Sequence, residues 1–408
     1  MADTKRLNEK ILKRLNGIKQ RCETIMMSEW RKNYSKYMII ATIVVQCIFI
    51  NLSLKGPITV RCSENQIETT GPQSTIVILV EFKDLIHRKS KEDLKMTIFE
   101  RLNDYLKETS FESAWLTGNV TDWTRLQHEV SEYGRDFGPF IDVEARRLVL
   151  DSIHAVDSYV NFRDYRHIII VHAGRGQETT GNLSDIWSCY RKLNPPAYAD
   201  ELIINNVIIA PEIQAGDIDP FGVYAHEFMH SLGLPDLYPG SDKIKSRYLG
   251  PWDVMDSGLR NGLPSGSKPS HPSAWSKITL GWPIKTTIIF QGSREKIVMY
   301  PLEVSTANIQ AVILPITQGK YYLIETRIQY GFDSGLPNSG VLITIVDEGL
   351  SPGNGMVKVI NADPSKPNLE NATFKDGHEY LDKTRLVKVS ISKTGETYTL
   401  TIDRRIEE

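Results

Sequence analysis

The sequence carries almost no net charge. Its 408 residues include 48 Lys and Arg against 50 Asp and Glu, a formal net charge of −2. Proteins that bind nucleic acid usually show a marked basic excess, so the composition gives no reason to expect such a partner. Internal repeats and low-complexity tracts are also lacking, which argues against repeat architectures. A chain of this length that is 41% hydrophobic can bury one or two cores.

Long apolar runs are almost absent as well. The exception is residues 37–54, which hold no charged side chain and are just long enough to span a bilayer. Residues 1–36 carry ten Lys or Arg against four Asp or Glu, and such a basic flank stays in the cytoplasm. We interpret the run as an uncleaved transmembrane signal anchor with the catalytic region outside the cytoplasm. A cleaved signal peptide or a buried core segment is the alternative, although no small-residue cleavage site follows the run.

Cysteine is scarce. With this topology, only Cys62 and Cys189 of the four cysteines reach an oxidising compartment, where they are able to form one disulfide. A second hypothesis makes the Cys62 thiolate a blocking ligand of a metal site in a latent form. No other feature of a pro-segment supports that second hypothesis.

A metal-binding pattern stands near the middle of the chain. His226 and His230 are four residues apart, and Glu227 follows the first of them. On a helix this spacing puts both imidazoles on one face, where they can bind one zinc ion while the glutamate acts as a base. The pattern is therefore typical of a zinc peptidase.

The flanking residues predict the limits of this helix. Asp219 is a favourable N-cap, Pro220 suits the first helical position, and Gly233 suits the left-handed residue that ends a helix. The sequence predicts a helix from about Pro220 to Leu232.

Glutamate is absent between Glu227 and Glu295, and this absence limits the choice of a third ligand. A catalytic zinc needs three protein ligands and one open position. Gly233 lets the chain turn back sharply, and Asp236 follows it closely with a carboxylate. We predict Asp236 as the third ligand, with His271 in reserve.

The segments around this motif resemble a family of secreted zinc peptidases, the immune inhibitor A family. Met255, in a turn that Gly258 closes, is similar to the methionine that lies beneath the metal in metzincins. The resemblance covers roughly residues 75–350, and Met229 departs from it because the family usually has Gly there. We expect that departure to alter packing rather than chemistry. The similar segments are 76–84, 160–165, 168–176, 226–238, 252–258, 272–277, 280–282, 322–327 and 331–333.

The resemblance implies a fold and a cofactor. The expected fold is an α/β (α+β) zincin-like, metzincin-like catalytic domain followed by a β-rich domain. The expected cofactor is Zn²⁺ on His226, His230 and Asp236, with Met255 in the Met-turn. The resemblance is also compatible with bound Ca²⁺, but no Asp-rich loop has a spacing specific enough to identify a calcium site.

Hydrophobic periodicity from residue 74 onwards predicts mixed α/β structure. Strands are predicted at 75–81, 167–172 and 202–211, and helices at 91–107 and 143–160. Residues 202–211 are either an edge strand that pairs with an extended substrate, which Pro211 favours, or an ordinary core strand. Short alternating strands are predicted at 287–290, 296–300, 309–314, 321–327, 340–347, 385–392 and 397–403, with the last two forming a hairpin.

These patterns give a domain organisation. We predict a basic cytoplasmic segment at 1–36, the anchor at 37–54, a linker at 55–74, the metallopeptidase domain at 75–284 and the β-rich domain at 285–408.

The predicted reaction is zinc-assisted hydrolysis of a peptide bond in a protein or peptide substrate, with Glu227 as general base. His271 and Arg260 are candidate donors to the developing oxyanion, although structural or surface roles are open for each. Two other functions remain open: an inactive, membrane-tethered binding or adhesion module, and a zinc hydrolase that does not act on peptides.

Overall fold

A mixed sheet organises the N-terminal half of the computed structural model, which describes residues 68–239 and 248–405. Its strands are β1 (Gly71–Glu81), β2 (Ala114–Val120), β3 (Thr124–Arg125), β4 (His167–Arg175), β5 (Cys189–Ala199) and β6 (Leu202–Ile213). Their order is β2-β1-β4-β6-β5, and β3 pairs with β1. All pairings are parallel except that of β5, which runs antiparallel to β6 and forms one edge.

Helices cover both faces of this sheet. The first, α1, begins as Lys91–Lys95, continues as a π-helical stretch over Met96–Leu102 and ends as Asn103–Ser110. The others are α2 (Val130–Tyr133), α3 (Ala145–Val156), α4 (Gln177–Thr180), α5 (Phe221–Ser231) and α6 (Ala274–Thr279).

The apolar strands explain why two layers of helices are needed. Successive side chains of a strand point to opposite faces, so an uninterrupted apolar run must be covered on both. Val77 of β1 lies in a core cluster with residues of α1 and α5. Its neighbour Ile78 lies in a second cluster with residues of α3. Helix α5 is therefore held against one face of the sheet, beside β6 and the edge strand β5.

The C-terminal part contains two antiparallel-rich sheets. The five-stranded sheet has the order β12-β11-β10-β9-β7, and the four-stranded sheet has the order β13-β14-β15-β8. A third core cluster joins them, with Ile324 from one and Leu400 from the other. Their strands are β7 (Thr286–Ile288), β8 (Arg294–Met299), β9 (Ala311–Thr317), β10 (Lys320–Arg327), β11 (Gly340–Asp347), β12 (Val357–Val359), β13 (Glu379–Asp382), β14 (Val387–Thr394) and β15 (Thr397–Asp403).

The predicted mixed α/β fold with a β-rich C-terminal part is confirmed. Each strand predicted after Trp282 overlaps an observed strand, and β14 and β15 form the predicted hairpin through the pair Thr394–Thr397. The predicted helices at 91–107 and 143–160 correspond to α1 and α3. Met229 is fully buried in the first core cluster, where its side chain fills space that a glycine would leave empty.

The edge-strand interpretation of residues 202–211 is wrong, and the core-strand alternative is confirmed. Strand β6 lies between β4 and β5 in the sheet, so it is an interior strand. Pro211 is tolerated there because it pairs with His172 at the point where the register of β4 and β6 shifts. The edge is β5, which the sequence did not predict as a strand.

Some predictions fall outside the described residues. The basic segment 1–36, the apolar run 37–54 and Cys62 lie there, so the anchor and the proposals for Cys62 stay predictions. Within 68–239 and 248–405, no helix combines the length and the apolar character needed to cross a bilayer.

Candidate metal centre

Helix α5 brings the two predicted histidines together. The Nε2 atoms of His226 and His230 are 3.1 Å apart. The Oδ1 atom of Asp236 lies 3.2 Å from the first and 3.1 Å from the second. Within the described ranges, these three residues are the group of His, Cys, Asp or Glu side chains whose ligand atoms all lie within 4.8 Å of one another. The structure thus assembles the predicted trio.

Backbone carbonyls fix the orientation of both imidazoles. The Nδ1 of His226 lies 2.8 Å from the carbonyl oxygen of Val254, and the Nδ1 of His230 lies 2.7 Å from that of Leu234. A carbonyl only accepts, so each Nδ1 carries a proton, and each Nε2 faces the centre of the group as the atom that can bind a metal. The carbonyl of Val254 belongs to the turn that contains Met255. The turn therefore orients one of the histidines.

The end of α5 places Asp236. Gly233 has a φ of +104°, a conformation that favours glycine, and its N–H donates to the carbonyl of His230. The N–H of Leu237 then donates to the carbonyl of Met255 over 2.9 Å. The residue after Asp236 is thus tied to the Met255 turn. Met255 itself is fully buried in the first core cluster, and its role beneath a metal stays a prediction.

The donor set fits zinc. With bonds of about 2.0–2.1 Å and tetrahedral angles, zinc ligand atoms lie about 3.3 Å from one another. The observed separations of 3.1–3.2 Å are close to that value. Two imidazole nitrogens and one carboxylate oxygen are also a usual set for a catalytic zinc that keeps an open position. The side chain of Asp236 is 40% exposed, so the group opens to solvent on that side.

Glu227 lies beside this group and is 6% exposed. Burial raises the pKa of its carboxyl, while the nearby histidines and a hydrogen bond from the backbone N–H of Tyr190 oppose that rise. Its Oε2 atom is buried and has no hydrogen-bond partner among the described residues. A buried acceptor without a donor is costly, so this oxygen is suited to receive a proton from a ligand.

When no metal is bound, His226, His230 and Asp236 affect one another's protonation. Burial acts to lower the pKa of His226, but its hydrogen bond to Asp236 and the charge of Glu227 outweigh burial and raise the pKa to about 9. Burial acts to raise the pKa of Asp236, and the hydrogen bonds to both histidines hold it well below its usual range instead. A cation at the centre would take the place of the shared proton.

Two tyrosines that the sequence analysis missed complete the surroundings. The ring of Tyr190, in the edge strand β5, lies nearly parallel to His230 with centroids 6.4 Å apart. The ring of Tyr238 lies at 24° to His226 with centroids 6.2 Å apart, and its hydroxyl hydrogen-bonds to Asp236. The position of Tyr238 two residues after the third predicted ligand was the available signal. No local signal pointed to Tyr190.

The two predicted oxyanion donors have different surroundings. His271 has no exposed surface, and its Nε2 lies 2.7 Å from Glu108 while its Nδ1 lies 3.3 Å from the ammonium group of Lys277. Its ring is enclosed in a polar cluster, so we do not expect it to contact a substrate or a metal. Arg260 is exposed at the end of the 3-10 turn Ser257–Arg260, and its role as an oxyanion donor stays a prediction.

Comparison with known proteins agrees with this geometry. Residues 164–282 match the family model described as "Immune inhibitor A peptidase M6, catalytic domain". Immune inhibitor A of Bacillus thuringiensis subsp. alesti is 29% identical over 219 residues, which cover 44% of this chain and 31% of that protein. Pre-pro-metalloprotease PrtV of Vibrio cholerae serotype O1 (strain M66-2) is 26% identical over 290 residues, 55% of this chain and 31% of that protein.

The matches thus span about a third of the length of these curated relatives. The range matched by the family model includes the whole of α5, the Met255 turn and α6. The predicted resemblance is confirmed, since residues 164–282 match the catalytic domain of the immune inhibitor A (M6) peptidase family.

Proposed function

We propose that the chain is a zinc-dependent endopeptidase that hydrolyses peptide bonds in protein substrates. One observation carries the proposal. The ligand atoms of His226, His230 and Asp236 converge within 4.8 Å beside the unpartnered, buried carboxylate oxygen of Glu227. Acceptors that face one another without a donor require a cation or a proton between them. A general base next to such a centre is the arrangement that hydrolysis by activated water needs.

Each residue has a role in this reaction. Zinc, when bound, supplies Lewis acidity that polarises the peptide carbonyl and makes water more acidic. His226, His230 and Asp236 would hold it. Glu227 accepts the proton of the attacking water and passes it to the leaving amine. The backbone N–H of Tyr190 holds the Glu227 carboxylate in place for both transfers.

The edge strand β5 is suited to bind the substrate backbone. Residues Cys189–Lys192 pair regularly with β6, and the register shifts before Ala197. Their other edge is unpaired in the sheet and, apart from the N–H of Tyr190 that is bound to Glu227, offers backbone N–H and C=O groups to an extended peptide. Because Tyr190 in this stretch contacts both Glu227 and His230, a peptide on this edge would run beside the metal group.

Tyr238 is suited to donate to the developing oxyanion, in place of His271. Its side chain is 41% exposed while its hydroxyl already reaches Asp236. Burial raises the pKa of this phenol, so it keeps its proton in the neutral range. A protonated hydroxyl at the rim of the metal group is a hydrogen-bond donor in the region where charge develops.

The test uses the full chain loaded with zinc and an unfolded protein, reduced and carboxymethylated lactalbumin. We expect hydrolysis that a chelator abolishes and that added zinc restores. Glu227→Gln keeps the size of the side chain but cannot accept a proton, so zinc content should persist while kcat falls by about 10² to 10⁴. Glu348→Gln, a distant carboxylate, serves as the matched control. Full activity of Glu227→Gln, or turnover that is insensitive to chelator, would contradict the proposal.

The cellular location is also a proposal, and it depends on the sequence alone. Residues 37–54 anchor the chain, the basic N-terminus stays in the cytoplasm, and the metal centre faces outward. Protease added to intact cells should then remove the bulk of the chain. Protection of that bulk, or a mature chain that starts near Pro57, would show that the topology is different.

A further inference from the structure

Residues 135–143 form a short hairpin that displays large apolar side chains. The side chains of Phe137, Phe140 and Ile141 are 73%, 64% and 43% exposed, and Val143 next to them is 40% exposed. Single exposed apolar residues are ordinary on a protein surface, but four within seven residues of chain, two of them paired across a turn, are unusual and point to an interaction site.

Backbone hydrogen bonds close the hairpin. The backbone N–H and C=O groups of Phe137 and Phe140 pair reciprocally, with N to O distances of 2.9 and 3.1 Å. Gly138, with a φ of +60°, and Pro139 form the two-residue turn between them. Residues directly opposite in such a pair project from the same face, so both aromatic rings stand together at the tip. A surface that is already ordered loses little conformational entropy when it binds.

The base of the hairpin is fixed to the beginning of the edge strand. The carboxylate of Asp142 accepts a hydrogen bond from the N–H of Trp187 over 2.9 Å. The guanidinium of Arg191 donates to the carbonyls of Ile141 and Asp142, at 3.4 and 3.2 Å. Trp187 and Arg191 bracket Tyr190, which contacts Glu227 and His230. Because Arg191 and Tyr190 are successive residues of the strand, the hairpin borders this stretch of β5 on the face of the sheet opposite to α5.

We propose that this aromatic hairpin, residues 135–143, is a binding surface for apolar side chains of an unfolded polypeptide substrate that extends past the beginning of β5. The inference rests on the proposed function. The occupant follows from position, since a peptide that adds to β5 at Cys189–Lys192 and continues in the direction of Trp187 meets the hairpin. The charges around it do not favour an anionic bilayer, because Arg135 is paired with Glu144 and Asp136 lies at the base. The surface would select for segments that carry aromatic or large aliphatic side chains several residues from the cleaved bond.

The experiment compares long and short substrates. The variant is Phe137→Ser with Phe140→Ser, and the control is Leu263→Ser with Tyr330→Ser, two other exposed apolar residues at 97% and 56%. We expect the hairpin variant to raise KM for reduced and carboxymethylated lactalbumin by about tenfold or more, with kcat unchanged. Cleavage of a six-residue fluorogenic peptide should be unaffected, and the control variant should match the parent chain on both substrates. Equal loss on both substrates, or no loss on either, would overturn the proposal.

A binding measurement separates this inference from the proposed function. In the Glu227→Gln background, fluorescence anisotropy of labelled carboxymethylated lactalbumin reports binding without turnover. If the parent chain proves inactive but this binding depends on the two phenylalanines, the hairpin surface stands and the peptidase proposal fails. If the parent chain is active but the hairpin variant binds equally well, the surface fails and the peptidase proposal stands. If the variant instead loses self-association with unchanged kinetics, the surface is an interface with a second copy and our proposal is overturned.

Discussion

Two groups of charged side chains lie against the turn at residues 252–258, and they are built in opposite ways. The metal group places three acceptor atoms face to face, and its side chains are 6%, 15% and 40% exposed for His226, His230 and Asp236. The second group, which we call the buried cluster, surrounds Arg327. This fully buried guanidinium lies 2.8 Å from Glu303, 3.1 Å from Glu325 and 2.5 Å from Asp333. Lys277 and His271 lie next to it.

The difference shows that the pairing of donors with acceptors, rather than residue type, separates a ligand site from a structural network. Both groups contain His and acidic residues. In the buried cluster, burial acts to raise the pKa of Asp333, but the neighbouring Arg327 outweighs it and holds the pKa at about 2. In the metal group the compensation comes from a proton on the ligand atoms themselves, and one side is open to solvent. The first arrangement is closed by pairing within the protein, whereas the second leaves a position that a cation can take.

The largest effect is expected from a substitution that removes a ligand of the metal group. Asp236→Ala should lose both zinc and activity, because two imidazoles alone do not hold a catalytic zinc. His271→Ala, within the buried cluster, should keep its zinc. The measurement is the metal content of both purified variants after dialysis against a weak chelator. An empty His271 variant together with a zinc-loaded Asp236 variant would reverse the assignment.

The next largest effect is expected from Arg327→Met, which removes the ion pairs at the centre of the buried cluster. This change leaves the carboxylate of Asp333 and the acidic groups of Glu303 and Glu325 buried without their cation, which should lower the free energy of unfolding by about 3–5 kcal/mol. The matched control is Arg166→Met, whose ion pair with Glu68 is exposed and should contribute less than about 1 kcal/mol. Urea unfolding of the zinc-free chains measures both. Equal, small losses for the two variants would show that the cluster does not stabilise the fold in this way.

A smaller effect concerns the pH dependence of the buried cluster. Burial lowers the pKa of Lys277 from 10.5 to about 7. Between these values the unfolded chain binds a proton that the folded chain does not, so stability should rise with pH by about 1.4 kcal/mol per unit from this group. Lys277→Met should remove that contribution and flatten the curve. Urea unfolding at pH 7.5 and 9.5 tests this, and identical slopes for variant and parent would contradict it.

The sequence was sufficient to predict helices and strands whose capping residues or hydrophobic pattern lie within one short segment. Helix α5 spans 221–231 against a prediction of about 220–232, because the caps and the metal ligands lie in one short stretch. Strand β1 and the C-terminal strands were found from apolar runs and alternation. Strand β5 was missed because Pro195 and Pro196 interrupt it. In the structure these prolines fall within the register shift between Lys192 and Ala197, at an edge where fewer backbone N–H groups are needed.

The environment of His271 could not be predicted, because it depends on contacts between distant segments. Its partners Glu108, Lys277 and Asp333 come from α1, α6 and the segment after β10. No periodicity or spacing connects them. Asp236 was found by its distance from the Gly233 turn, whereas the assignment of His271 as an oxyanion donor required knowledge of what surrounds its ring.

The contact between Arg327 and the Met255 turn determines when, during synthesis, the metal group can be completed. Arg327 donates to the carbonyl of Trp252 over 2.7 Å, and the same turn supplies the carbonyl that orients His226. During synthesis Arg327 is added about 5–20 s after Asp236, at ordinary rates of elongation. A nascent chain therefore carries every predicted metal ligand before it can complete the turn that holds them. On the function proposed above, the newly made protein would gain its metal-dependent activity only after the C-terminal sheets had folded.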